Sequence, residues 1–213
     1  MDLRRISAPL TLERKLAVVS LDMLKAQARV RHADEDQLLT GYIASAFDFL
    51  HGPDGWLNGY CLLEEEFELY LDQVGDVSEL PLRPIPDDMA PTLARRFDRG
   101  DYAAFGPADF MLAQNDGIGV IARLSAAGFR RQSGVIDPRQ YRVTFKAGWP
   151  DPDLVPDALK QSILLLAAHF YTNREASQIT VGAGGSGASG KLREIEFGLR
   201  GLAGRYRVSP DHS

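Results

Sequence analysis

Residues 156–178 read PDALKQSILLLAAHFYTNREASQ, and the reading of this stretch sets the reading of the chain. Pro156 suits a first helical turn, where a missing N–H costs nothing, and Asp157 suits the positive end of the helix dipole. Leu159, Ile163, Leu166, Ala167 and Phe170 recur at helical spacing and make one stripe. Leu164, Leu165 and Ala168 fill other faces, so this helix is expected to be covered on several sides. The apolar run lasts only from Ile163 to Ala168, bounded by Lys160, His169 and Arg174, which excludes a membrane span. Beyond it stands a dense polar and aromatic cluster: His169, Phe170, Tyr171, Asn173, Arg174 and Glu175. A helix that only fills a core needs no such cluster, so its end is expected to hold or recognise something.

Working outward, the chain has 213 residues, 45% of them hydrophobic and 25% charged, the ordinary balance of a globular protein. One cysteine, Cys61, excludes an intramolecular disulfide. The net charge of −5 argues against binding nucleic acid by bulk attraction. The basic residues are lopsided, 19 arginines to 5 lysines, which fits either an interface-rich surface or a GC-rich genome. The N-terminal MDLRRISAPLTLERK lacks an apolar core of signal-peptide length, so no secretion is expected.

Residues 1–19 read as an arm, two polar runs flanking a proline. Residues 20–60 read as helical. Ser20 is a plausible N-cap for LDMLKAQARV, with Leu21, Leu24 and Ala28 on one face. A second helix begins near Asp34, read as its cap, and carries Leu39, Ile43, Ala46, Phe47 and Leu50 as a buried stripe. It stops at His51-Gly52-Pro53-Asp54-Gly55. Residues 61–150 change to a period of two. Phe67, Leu69 and Leu71 alternate with Glu66, Glu68, Tyr70 and Asp72. Four prolines between 81 and 91 impose an extended segment. Residues 110–114 and 118–124 flank Asn115-Asp116-Gly117, a hairpin signal. Tyr141, Val143 and Phe145 alternate again. Residues 151–213 return to helix, with a glycine-rich loop, a short helix LREIEFGLRGL and a tail. The expected fold is therefore α+β: mainly an α-helical bundle of three to four helices with a small antiparallel β element inserted, forming one composite domain.

No catalytic constellation emerges. Gly182, Gly184 and Gly187 fit G-x-G-x-x-G, and Gly185 to Lys191 approach a phosphate-binding loop. Leu192 stands where a magnesium-binding Ser or Thr belongs, and too few residues follow for a βαβ unit, so a mobile loop explains the glycines better. His32, His51, His169 and His212 have no metal-ligand spacing. Asp34-Glu35-Asp36 point in different directions on a helix, and Asp151 with Asp153 read as a rigid Pro-Asp turn. Cofactor and metal are both expected to be absent. Arg174-Glu175 reads as a helix-end charge pair engaging a neighbouring helix or chain.

Several short pieces, in order, resemble the head–tail connector (adaptor) family of tailed phages. They are Ala28-Arg29-Val30, the acidic start Asp34-Glu35-Asp36, Leu80-Pro81-Leu82-Arg83-Pro84, Ala147-Gly148-Trp149-Pro150, Ala168 to Glu175 (AHFYTNRE), and Leu202 with Tyr206-Arg207. The match spans about residues 20 to 207. Phe170 stands where the family usually has Trp, and the glycine-rich loop and N-terminal arm are longer than usual. The resemblance implies a non-enzymatic neck protein of a phage, prophage or gene transfer agent, assembled in the bacterial cytoplasm. It implies a self-associating cyclic ring of about twelve copies. Such a ring would sit beneath the portal, extend the DNA channel without sequence-specific binding, and dock the tail or stopper. His169, Phe170, Tyr171, Asn173, Arg174, Glu175, Tyr206 and Arg207 would then be structural or interface residues. Two alternatives stand beside it: a neck stopper or tail-completion protein, and a nucleotide-binding enzyme using residues 182–191.

Overall fold

The computed structural model describes residues 2–96, 100–106, 108–115, 117–124, 139–173 and 198–208. It corrects the expected architecture. Among the described residues the chain forms eight strands in two antiparallel sheets, together with short helices, rather than a mainly helical bundle. Two compact units divide it: residues 1–9 with 61–150, and residues 10–60 with 151–213.

The first unit is built of strands. They are β1 (Asp2–Arg5), β2 (Glu65–Leu71), β3 (Val77–Glu79), β4 (Thr92–Arg96), β5 (Tyr102–Ala104), β6 (Phe110–Asn115), β7 (Ile118–Arg123) and β8 (Tyr141–Ala147). One sheet has the order β1-β2-β8-β4-β5 and the other β3-β7-β6. Side-chain alternation explains why β2 and β8 are central. Phe67 and Leu69 of β2 lie opposite Phe145 and Val143 of β8, all buried, while Glu68 and Tyr70 lie opposite Thr144 and Arg142 on the other face. Leu93, Tyr141, Leu80, Leu82, Ile85 and Ile121 complete one apolar core shared by the two sheets.

The β6–β7 hairpin forms as its sequence predicts, and Gly117 takes φ +75° there, a conformation side chains with a Cβ rarely adopt. The residues read as an arm are regular instead. Asp2–Arg5 add an edge strand to β2, where Arg5 Nη1 meets the buried Glu65 Oε1 at 3.1 Å.

The second unit holds α1 (Leu12–Val18), α2 (Leu21–Ala28), α3 (Asp36–Leu50), α4 (Asp157–Thr172) and a last helix at 198–203. Thr11 caps α1 and Ser20 caps α2, each accepting a backbone N–H at 3.3 Å. Arg29 ends α2 with φ +58°. The expected stripe of α3 is buried as read: Leu39, Ile43, Ala46, Phe47 and Leu50. Its expected cap is not. Glu35, rather than Asp34, occupies the N-cap position, and no side chain caps the helix there.

α4 packs on α3 and α2. It buries Leu159, Ile163, Leu166 and Ala167 from one stripe and Leu164 from another, while Phe170 is half-buried. Pro156 precedes the helix as its N-cap residue. Asp151 Oδ1 accepts the Asp153 N–H at 2.9 Å, the rigid turn that its proline neighbours predict. No helix among the described residues is long and apolar enough to cross a membrane.

Candidate assembly site

Two clusters in the helical unit gather the predicted site residues. The first lies where the end of α4 meets the start of α3. Tyr171 Oη donates to Glu35 Oε2 at 2.6 Å, a bond spanning 136 residues of sequence. Glu35 sits at the N-cap of α3, so the tyrosine anchors the last turn of one helix to the first turn of the next. The ring of Phe170 lies 6.4 Å from that of Tyr42 on α3. Asn173 closes α4: its backbone N–H donates to the His169 carbonyl at 2.9 Å, and its Nδ2 reaches that carbonyl at 3.0 Å and His169 Nδ1 at 3.1 Å. These are the groups that C-terminal carbonyls of a helix need once the i+4 partners run out.

Around Glu35 the acidic residues Asp34, Glu35 and Asp36 have His32 and Lys25 beside them. His32 lies 3.8 Å from both Asp34 and Glu35, and Lys25 Nζ meets Asp36 Oδ1 at 2.6 Å. Arg174 and Glu175, which sequence reasoning placed in the same cluster, lie outside the described residues, as does the glycine-rich stretch 182–191.

The second cluster holds Tyr206 and Arg207. Tyr206 stacks edge-on against Tyr60 at 5.7 Å, and the Arg207 guanidinium lies 4.9 Å above the Trp56 ring. Backbone and side chain lock the contact: Val208 N–H donates to the Leu57 carbonyl at 3.1 Å, and Asn58 Nδ2 donates to the Val208 carbonyl at 3.0 Å. The C-terminal segment is thus clasped to the loop that follows α3. Since α3 has 15 residues, the two clusters stand at its opposite ends, about 21 Å apart at ~1.5 Å per residue. The structure therefore brings His169, Phe170, Tyr171 and Asn173 together, and separates Tyr206 and Arg207 from them.

Sequence reasoning missed the partners: Glu35, Tyr42, Trp56, Asn58 and Tyr60. The signal for the loop was present in Gly55-Trp56-Leu57-Asn58-Gly59-Tyr60, where two large aromatics stand in a turn too short to bury them by itself.

The chemistry of both clusters is that of fastening. Carboxylate, phenol, amide and ring are engaged with one another. Among the described residues no group of three or more histidine, cysteine, aspartate or glutamate side chains is placed to hold a metal. Cys61 is fully buried, and that burial pushes its thiol pKa up, away from the reactive thiolate. Tyr171→Phe is expected to destabilise the helical unit by about 1–2 kcal/mol, the range for a partly exposed bond to a charged acceptor. Urea denaturation checks this, and Glu35→Gln, which keeps an acceptor, should cost less.

One unit of two antiparallel sheets and one of short helices make up the chain, and this fold occurs in known particles. No family model matches the sequence, and no curated protein matches it. Among solved structures, a chain from the neck of an empty gene transfer agent particle, computed with C6 symmetry, aligns over 100% of both chains with a TM-score of 0.66 and 21% identity. A chain from the virion of a native gene transfer agent particle covers 98% of this chain and 96% of its own, again at TM-score 0.66 and 21% identity. A third, from the neck of a native particle computed with C12 symmetry, aligns over 100% of both chains at TM-score 0.63 and 20% identity. The chain has the fold of a neck component of a phage-like particle from end to end. The resemblance read from the sequence holds at that level, without the mainly helical architecture expected with it.

Proposed function

We propose that this protein is a structural, non-enzymatic component of the neck of a phage-like particle, of the head–tail connector kind. The observation that carries the reading is the end-to-end fold match to neck chains, with neither chain leaving a domain over. Local chemistry supports it: the predicted polar cluster fastens helices to one another instead of gathering reactive groups. Several copies form a cyclic ring between portal and tail, extend the DNA channel and offer a docking surface to the tail or stopper. The C6 and C12 symmetries imposed on two neighbouring necks support a cyclic assembly, for which about twelve copies is our proposal. Net charge of −5 suits a conduit past which DNA slides. Arg174 and Glu175, with Tyr171, are proposed to fix neighbouring helices or the adjacent subunit.

Cryo-electron microscopy of particles from the producing cell tests this. Ring-shaped density that this chain fits, between portal and tail, is expected. Density for this chain elsewhere in the particle, or none, overturns the reading. Co-sedimentation with purified portal rings separates an adaptor, which binds portal directly, from a stopper, which does not.

A further inference from the structure

Among the described residues the three-stranded sheet leaves two edges open, and they are unequal. Most sheet edges here are protected in familiar ways: β1 carries two arginines and an aspartate, while β3 and β5 are three residues long. β6 is the exception. It is six residues long, regular, and carries no charge (Phe-Met-Leu-Ala-Gln-Asn). One row on the outer face of the same sheet is apolar too. Val77, Ala122 and Met111 form one row across β3, β7 and β6, with Val77 66% and Met111 46% exposed.

The ladder fixes which backbone groups face outward. Leu80 N–H donates to the Gly119 carbonyl and Arg123 N–H to that of Asp76, so 76, 78 and 80 bond β7. The groups of Val77 and Glu79 therefore point away from the sheet. On the other side Leu124 N–H donates to the Asp109 carbonyl, so 109, 111, 113 and 115 bond β7. Phe110, Leu112 and Gln114 present their backbone groups outward, and among the described residues those groups meet no partner.

We propose that β6 of one copy pairs with β3 of the next, so that the small sheet runs from subunit to subunit. This rests on the ring reading, and names the contact that would build the ring. A ring needs a heterologous contact between two different surfaces of the same chain, which the two edges of one sheet supply. Both β3 and β6 run antiparallel to β7, so across a rotational boundary β6 and the neighbour's β3 run parallel.

One register satisfies all four outward groups of Val77 and Glu79 and four of the six on β6. With Leu112 beside the neighbour's Ser78, the Leu112 N–H donates to the Val77 carbonyl and the Leu112 carbonyl accepts from Glu79 N–H. The Phe110 carbonyl accepts from Val77 N–H, and Gln114 N–H donates to the Glu79 carbonyl. That is the slanted pattern of a parallel ladder. It also repeats the alignment already present within the chain, where Ser78, Ile121 and Leu112 share a row. The same register sets Met111 against the neighbour's Val77, covering the two exposed apolar side chains with each other.

A double variant, Val77→Cys with Met111→Cys, tests this. Within one chain the two positions lie two strands apart, roughly 9.6 Å at ~4.8 Å per strand, beyond the ~7 Å limit for a disulfide. Across the proposed boundary they are adjacent strands at about 4.8 Å, inside the range. Cys61 is buried and takes no part. The variant is expected to assemble as the parent does and, on mild oxidation, to give a ladder of multimers on a non-reducing gel, with each single-cysteine variant giving none. Rings visible by negative-stain microscopy that yield no ladder overturn the edge pairing while leaving the ring reading standing. Dimers from Met111→Cys alone overturn it in favour of a two-fold β6–β6 contact. A parent chain that forms no ring, in particles or at high concentration, overturns the ring reading and this contact with it.

Discussion

Gly148→Ala is expected to abolish cooperative folding of the strand unit or to lower its stability by about 3–5 kcal/mol, out of the roughly 5–15 kcal/mol that holds a domain together. Gly148 has φ +111°, where an L side chain rarely goes. An added Cβ would fall 2.1 Å from the Leu63 carbonyl oxygen, 2.4 Å from its carbon and 2.7 Å from Glu64 N. All three are backbone atoms, so no rotamer change relieves the clash. The backbone itself is pinned. Gly148 N–H donates to the Pro84 carbonyl at 2.7 Å, and Glu64 N–H donates to the Trp149 carbonyl at 2.9 Å. Next to them Ala147 pairs with Glu65 at the end of the β2–β8 ladder. Making room means parting the two central strands. The cost combines about 1–3 kcal/mol of backbone strain with about 1 kcal/mol for each ladder bond lost. Urea titration of the purified variant checks it. A midpoint equal to the parent's would mean that the turn at 147–149 relaxes without disturbing β2, contrary to the geometry described.

What the sequence disclosed depended on how cleanly each element separates its two faces. β2 and β8 were legible because every second residue is apolar and its neighbours are charged or hydroxylated. β4 was not. Its Arg95 is buried, with its guanidinium 5.5 Å from the Tyr141 ring, so a charged residue sits where alternation demands an apolar one. β1 hides for a related reason: Arg5 reaches the buried Glu65, and two arginines in four residues read as a polar run. β3 and β5 are too short to show any period. Together these strands outweigh what the long helix α4 contributes, so weight placed on residues 156–178 points to a mainly helical fold that the chain does not have.

The site was legible in part for a physical reason as well. Tyr171 and Asn173 announced themselves by polar density at the end of an apolar helix. Glu35 stood out only as part of an acidic helix start, and Trp56 gave no comparable sign, because their partners are separated from them by more than a hundred residues and only folding places them together.

Phe47→Ala is expected to cost about 3–5 kcal/mol, the range for emptying a fully buried aromatic site. Phe47 is completely buried on α3. His51, one turn on, lies 5.1 Å from its ring, and Lys15 of α1 brings its ammonium to 5.9 Å from the ring centre. That lysine is itself held by Asp48 Oδ1 at 2.6 Å. The ring thus supports both the α3 core face and the seat of α1, and its removal should loosen the two helices together. At roughly 2–4 °C per kcal/mol for a chain of this length, the melting temperature should fall by about 6–20 °C. Phe47→Leu provides the control: it keeps most of the volume and should cost less than about 1.5 kcal/mol. If alanine and leucine variants melt alike, the loss does not come from the cavity, and the packing role assigned to Phe47 is wrong. If only the alanine variant falls, and α1 becomes exposed to proteolysis in it, the ring is the contact through which α1 is held to the helical unit.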